Sequence, residues 1–420
     1  MDFSLPRGLR DISPEEAESS EIIRSAFVDT CKLFDYKIME PSSLELLQTL
    51  EAKSGPGIKD EIYYFKDKSD RDLGLRFDLT VGITRYVTSK RDLSPPVRLG
   101  AFSSVWRYDE PQYGKYRWFY QWDAELFGPS NPDADAEVIE FTYTLFRKLG
   151  TNPRISIGSR KVLESFIRDS IKIEDKDRIL DAMRAIDKLA KKPLDQIAQE
   201  YSSSVSKEQL SKIVDFVKLA GDVNRVSDVL KDLSIDASNL VQIIDSLFSR
   251  GIKDVGLDLS IVRGIDYYTD MVFEAFDRDN PRLGALCGGG RYDSLPAVYG
   301  RADFGATGVA GGVERAMLAY KFSKTTQERI FVAAAGSDPK LKAIAVRIAS
   351  DLRSSGLPAQ SDISGRSLRK ILESQSSGTR AVVIVGEKEL ASNSVKIKWM
   401  SSGEEVLVPA SELKTMLATT

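Results

Sequence analysis

Three short segments of this chain alternate polar and apolar residues at the two-residue period of a strand. In LRFDLT, Arg76, Asp78 and Thr80 fall on one face and Leu75, Phe77 and Leu79 on the other. In SVWRYDE, Arg107 and Asp109 share a face opposite Trp106 and Tyr108. In RWFYQWDAEL, Phe119, Gln121, Asp123 and Glu125 lie opposite Trp118, Tyr120, Trp122, Ala124 and Leu126. One such strand is usually a half-exposed sheet face. Three close together argue for a working surface, with carboxylates for a cation, arginine for an anion and an aromatic ring for stacking.

Three later segments extend the set. In LSIVRGIDYYTDMVFEAF, Arg263 and Asp266 interrupt an apolar, aromatic run, and a buried arginine is costly unless it meets an anion. CGGGRYDSL places Gly288, Gly289 and Gly290 before Arg291, Tyr292 and Asp293, and consecutive glycines let backbone approach a ligand. ATGVAGGVERAM sets Gly308, Ala310 and Gly312 at alternate positions, leaving a slot for a flat ring, then starts a helix bearing Arg315.

Composition narrows the chemistry. The 420 residues include no histidine, which removes the commonest general base and metal ligand. Two cysteines, Cys31 and Cys287, support neither a disulfide framework nor a Cys-rich zinc site. Chemistry must then fall to carboxylates, arginines and tyrosines, with Mg²⁺ on oxygen ligands. Charged residues at 29% and hydrophobic ones at 42% fit a soluble globular chain. The opening MDFSLPRGLRDISPEE does not read as a signal peptide, and no apolar run would cross a bilayer, so a cytoplasmic protein without membrane contact is expected. Residues 329–420 hold 13 Lys+Arg against 9 Asp+Glu within a chain of net charge −3, a mildly basic end compatible with RNA contact.

The elements that must position these residues follow from pattern. GLRDISPEEAESSEIIRSAFVDTCKLF reads as a proline-led amphipathic helix, and DYKIMEPSSLE as a strand ending at Pro41. From about 60 to 128 the pattern is strand-like, with helical stretches near 80–90 and 134–148. Residues 159–250 are rich in Lys, Asp, Leu, Ile and Ala at helical spacing and read as a helical insertion, after which strand character resumes at 251–320. A polar hinge, KFSKTTQE, covers 321–328. Beyond it, strands alternating with helices predict a small α/β domain, 329–420, with a largely parallel sheet.

These segments together resemble those of a class II aminoacyl-tRNA synthetase. The first helix, strand and Pro41 resemble the dimer-forming first motif; WRYDEPQYGKYRWFYQWDAELFG resembles the second motif and ATGVAGGVERAM the third. VRGIDYYTDMVFE and GGGRYDSL are similar to the pair that marks the histidyl-tRNA synthetase family within that class. The resemblance spans essentially the whole chain, including PRGLRDISPEE and an anticodon-binding type of C-terminal domain. It implies an α+β fold, a six- or seven-stranded antiparallel sheet flanked by helices. The catalytic domain would be split into 1–158 and 251–320 by the 159–250 insertion.

The implied reaction is activation of L-histidine by ATP, with Mg²⁺ accompanying the nucleotide, followed by transfer to tRNA(His). A homodimer is implied through the first motif, and no metal centre of the protein's own. Arg107, Arg263 and Arg315 would be the catalytic residues, holding the phosphates. Asp109, Lys115 and Arg117 would lie in or beside the ATP loop, and Phe119 would stack on adenine with Arg315 over its other face. Asp78, Thr80 and Gln121 would hold the α-amino group. Glu125, Tyr268 and Tyr292 would read the imidazole, with Tyr267 and Arg263 beside them. Two positions depart from the family pattern: the second motif usually has glutamate where Asp109 stands, and Glu110 occupies an often basic position. The alternative is a catalytically inactive, synthetase-like regulatory subunit of histidine biosynthesis. Such proteins typically lose the arginine-tyrosine segment and the C-terminal domain, and both stand here.

Overall fold

The first helix, Pro14–Leu33, begins where its sequence says it should. Ser13 accepts from the Glu16 amide while the Glu16 carboxylate reaches back to Ser13, and Pro14 fills the first turn, where no amide hydrogen is needed. The helix buries Ile23, Ala26, Phe27 and Cys31. The computed structural model describes residues 3–108, 110, 116–189, 192–221, 223–262, 267–320, 329–363, 365–374 and 378–418. The chain divides into two compact units, Met1–Lys321 and Phe322–Thr420.

The first unit is built on a nine-stranded sheet. Its centre is six antiparallel strands in the order Val97–Trp106, Trp118–Gly128, Gly305–Gly312, Ala285–Arg291, Met271–Asp277 and Pro153–Ser159. Lys37–Ile38 adds in parallel at one edge; Val255–Asp258, parallel, and Ala220–Gly221 complete the other. The antiparallel core is the one the family resemblance implies, widened by these short edge strands.

Side chains alternate between two layers. On one face Trp122, Ala124, Ile155, Ile157 and Phe273 pack against the first helix and helix Pro132–Lys148, with Phe27 and Trp122 ring centroids 5.9 Å apart. Each large apolar side chain so buried contributes roughly 1.5–3 kcal/mol. The helices of 176–249 belong to this same continuous core. On the opposite face, helix Leu79–Ser89 covers Leu99, Ala101, Val105 and Phe127 and leaves part of the sheet for the polar row. A three-stranded sheet of Leu44–Leu46, Asp72–Leu75 and Tyr64–Lys66 flanks it.

LRFDLT departs from the strand reading. The strand ends at Leu75, and Asp78 is the N-cap of helix Leu79–Ser89, its carboxylate accepting from the Thr80 amide at 2.7 Å. An N-cap residue is itself extended, so up to Asp78 the pattern mimics a strand, and aspartate's capping strength decides the outcome.

The second unit has a five-stranded sheet in the order Ala359–Ser361, Arg329–Ala334, Thr379–Val385, Ser394–Trp399 and Glu405–Pro409. Helix Pro339–Ser354 joins the first two and shares their core. The expected largely parallel sheet is in fact mixed: the first two pairings are parallel and the last two antiparallel. Eight residues (386–393) join the third strand to the fourth and five (400–404) the fourth to the fifth, too few for a parallel crossover, so the chain returns antiparallel each time. The hinge residues 321–328 lie outside the described residues.

Candidate active site

The Trp118–Gly128 strand supplies the polar row, and its neighbours make room for it. Gly312, Ala310 and Gly308 stand opposite Gln121, Asp123 and Glu125 in the ladder, while Gly290 stands opposite Gly308. A Cβ at Gly308 would occupy the place of the Glu125 carboxylate, and one at Gly290 would come within 3.0–3.1 Å of the Tyr268 ring. The acid and the phenol ring therefore rest directly on main chain, which only glycine permits here.

Glu125 is 1% exposed; one oxygen accepts from Thr80 Oγ1 at 2.7 Å and the other from the Tyr292 phenol. Burial, with the Glu125 charge beside it, pushes the Tyr292 phenol well above its usual range, so it stays a donor. The Tyr267 and Tyr268 ring centroids lie 4.2 Å apart at a tilt of 34°, and both rings lie within 6.5 Å of Tyr292, making an aromatic wall.

A hydrogen-bonded chain runs from this pocket along the row. Thr80 Oγ1 also meets Asp123 at 3.2 Å, Gln121 Nε2 donates to Asp123 at 2.9 Å, and Arg107 Nη2 donates to Gln121 Oε1 at 3.0 Å. Arg107 Nε is fixed on the Phe77 carbonyl at 2.9 Å, and its guanidinium lies 5.2 Å from the Phe119 ring centre. Arg107 and Phe119 thus stand side by side at one end of the row, a cation for an anionic group beside a flat stacking surface.

Two further candidates are held by other means. Arg117 lies over the Tyr108 ring at 4.0 Å, and Arg117 is tied to the opening segment through the Gly8 and Arg7 carbonyls. Exposed Arg315, on helix Val313–Ala319, donates to the Ala285 carbonyl at 2.8 Å. Asp109, Lys115 and Arg263 lie outside the described residues.

Residues not singled out as ligands also shape the site. Arg76, 3% exposed, bonds the Ser104 carbonyl at 2.7 Å, the Pro41 carbonyl at 2.5 Å and the Ser103 hydroxyl, and pairs with Glu40 at 2.8 Å. It ties the capping loop to the strand that leads into Arg107. Arg291 reaches Asp135 at 2.8 Å, Asp293 at 3.1 Å and the Asn131 carbonyl at 3.1 Å, anchoring the residue before Tyr292. Its sequence signal was a charged residue inside an otherwise glycine-rich strand.

Comparison with known proteins accounts for this arrangement. The family profile described as Histidyl-tRNA synthetase matches residues 8–316, and that described as Anticodon binding domain matches 329–420. The protein is an aminoacyl-tRNA ligase of class II. A Histidine--tRNA ligase of Pyrobaculum islandicum is 34% identical over 413 residues, covering 97% of this chain and 96% of its own length. One from Thermoplasma volcanium is 33% identical over 426 residues, covering 99% of each. Histidyl-tRNA synthetase from Nostoc sp. PCC 7120 superposes with a TM-score of 0.83 at 26% identity, over 100% of this chain and 99% of that one. The chain belongs to the histidyl-tRNA synthetase family. An ATP phosphoribosyltransferase regulatory subunit/histidyl-tRNA synthetase from Bacillus halodurans C shares the fold, with a TM-score of 0.75 at 24% identity over 92% of this chain and 99% of that one.

Proposed function

We propose that this protein activates L-histidine with ATP to histidyl-adenylate and pyrophosphate, then transfers histidine to the 3′ end of tRNA(His). The observation that carries the reading is the buried Glu125 carboxylate resting on Gly308, with Tyr292 and Thr80 bonded to it and Tyr268 alongside. A buried acid and a phenol satisfy the two ring nitrogens of an imidazole. A side chain without those groups leaves them unpaired, a penalty large enough to discriminate without editing.

In the activation step the histidine carboxylate attacks the α-phosphorus of MgATP, the bond to the β-phosphate oxygen breaks, and pyrophosphate leaves. Asp78, Thr80 and Gln121 hold the α-amino group at the helix start. Arg107 holds the α-phosphate, Arg263 approaches it from the other side, and Arg315 takes the γ-phosphate. Phe119 stacks on adenine, and Asp109, Lys115 and Arg117 border the nucleotide loop. The rate comes from alignment and from charge stabilisation on the phosphate oxygens, so no protein base is required. The 329–420 domain reads the anticodon end, with Arg366, Arg369 and Lys370 on or beside helix Leu368–Ser374 as candidate contacts. The 159–250 stretch is the insertion between the two catalytic halves.

A homodimer completes the reading. Leu33, Ile38, Leu44, Leu46, Tyr64 and Phe65 are large apolar side chains left exposed around the short edge strand and the three-stranded sheet, where the first motif lies. Among the described residues, no helix is long and apolar enough to cross a membrane. The deciding experiment is histidine-dependent exchange of labelled pyrophosphate into ATP, with other amino acids as controls. Exchange with histidine alone supports the reading, and charging of tRNA(His) completes it. Silence with every amino acid, from folded protein with Mg²⁺, favours the regulatory alternative.

A further inference from the structure

Asp123 has no role in the reading above, yet it stands at the middle of the polar row. It is fully buried, with Ala101 and Ala310 opposite it on the two neighbouring strands, so small side chains on both sides leave it room. One oxygen accepts from Gln121 Nε2 at 2.9 Å and the other lies 3.2 Å from Thr80 Oγ1. Beyond Gln121 stands Arg107, donating to Gln121 Oε1 at 3.0 Å.

The chemistry of these partners fixes which way the glutamine faces. A guanidinium only donates, so the end of the amide toward Arg107 must be its carbonyl. The nitrogen then points to Asp123, whose carboxylate accepts. A primary amide has nearly the same shape when turned over, and only its partners choose between the two orientations. Turned the other way, the glutamine would set NH₂ against the Arg107 guanidinium and carbonyl against the Asp123 carboxylate. It would also present a donor to an incoming α-ammonium, which itself only donates.

We infer that Asp123 is a positioning residue for amino-acid activation: it locks the Gln121 amide with its carbonyl toward Arg107 and the histidine α-amino group. The inference rests on the proposed activation of histidine, in which Gln121 holds the amino group and Arg107 the α-phosphate. Asp123 then joins the pocket, through Thr80 and Glu125, to the arginine that meets the nucleotide. It acts through Gln121 and does not touch the substrate.

The test is steady-state pyrophosphate exchange on the full-length protein. Asp123→Ala raises KM for histidine about tenfold, the size expected when a buried hydrogen bond loses its acceptor, and leaves KM for ATP within about twofold. Asp123→Asn, whose carbonyl still accepts from Gln121, keeps KM for histidine within about threefold of wild type. In a Gln121→Ala background, Asp123→Ala adds no more than about a further twofold, because its target is gone. A merely structural loss would lower kcat through the active fraction and leave both KM values unmoved. If Asp123→Ala does not fold, Asp123→Leu, close in shape and unable to accept, carries the same expectations. An unchanged KM for histidine in an active, histidine-dependent enzyme overturns the inference alone, as does an undiminished effect without Gln121. A wild type silent with histidine overturns both this inference and the reading it rests on.

Discussion

Tyr292 and Glu125 lie 167 residues apart in sequence, and the phenol of one donates to the carboxylate of the other inside the protein. The contact exists because two strands separated by Gly305–Gly312 are drawn together over glycine, and because Arg291 is pinned to Asp135 one residue before the tyrosine. It joins the second motif to the glycine-rich segment alongside the edge-on packing of Phe127 against the same tyrosine ring.

That bond is expected to matter for affinity more than for folding. Tyr292→Phe keeps the ring and removes the hydroxyl, leaving one Glu125 oxygen without this donor. A buried group so deprived costs about 1–3 kcal/mol, so KM for histidine in pyrophosphate exchange should rise about tenfold or more. The phenol's elevated pKa implies that no ionisation of Tyr292 shapes the pH–rate profile below pH 10. A KM equal to wild type would show that Glu125 keeps its orientation without the phenol.

Gly308→Ala should abolish activity while preserving the sheet. The backbone at 308 is ordinary strand, but the added methyl would stand where the Glu125 carboxylate lies. We expect a loss of exchange of about 100-fold or more and a stability loss of about 1–3 kcal/mol from the displaced acid. Circular dichroism and urea unfolding check the second figure, and exchange kinetics the first. A variant with normal kinetics would mean that the carboxylate has another place to lie.

Asp135 supplies a pH signature. Burial pushes its carboxyl up to about 6, although the Arg291 guanidinium beside it pulls the other way. A carboxyl raised in the folded state contributes stability that is complete below its unfolded value near 4 and is lost as pH rises through about 6. The slope over that window is roughly 1.4 kcal/mol per pH unit for the one proton involved. Urea unfolding of wild type between pH 4 and 7, against Asp135→Asn, should show this dependence in the first and not in the second. Parallel curves would mean that Arg291 keeps the carboxylate ionised throughout.

Neither thiol should react in the native protein. Cys31 is packed under the sheet, where burial raises its pKa to about 12, and Cys287 is buried in the glycine-rich strand. A thiol reagent at pH 8 should find no reactive group until denaturant is added, then two. Labelling of the folded chain at the rate of a small free thiol would indicate opening of the first helix.

Much of this site was legible because strands write their faces at period two. Phe119, Gln121, Asp123 and Glu125 read correctly as one row; the small residues at 308, 310 and 312, read as a slot for a flat ring, stand beside it, with the Glu125 carboxylate lying on Gly308. Thr80 met the row for a different reason than expected: it opens a helix whose cap, Asp78, sits against the sheet. Arg76 could not be assigned a task from sequence, because two of its partners are backbone carbonyls that any sequence would provide and the others, Ser103 and Glu40, come from distant segments. The antiparallel half of the second sheet was missed for a similar reason. Glu405–Pro409 is short and polar at its start, and its pairing depends on a tight return from Ser394–Trp399. Asp123 was visible as part of the pattern, but its grip on an amide is a fact of geometry alone.

The glycines at 290 and 308 have a consequence for how this pocket could change its preference. Where a pocket is floored by side chains, its depth can drift one methylene at a time. Here the floor is peptide, held by the ladder to the strands on either side, and it has no rotamers to adjust. Depth is therefore a property of the sheet, and only the groups lying on it can be exchanged. On the proposed reading, an evolutionary move to another amino acid begins with Glu125, Tyr268 or Tyr292, each already bound to its neighbours, so the first step of such a move is the hardest.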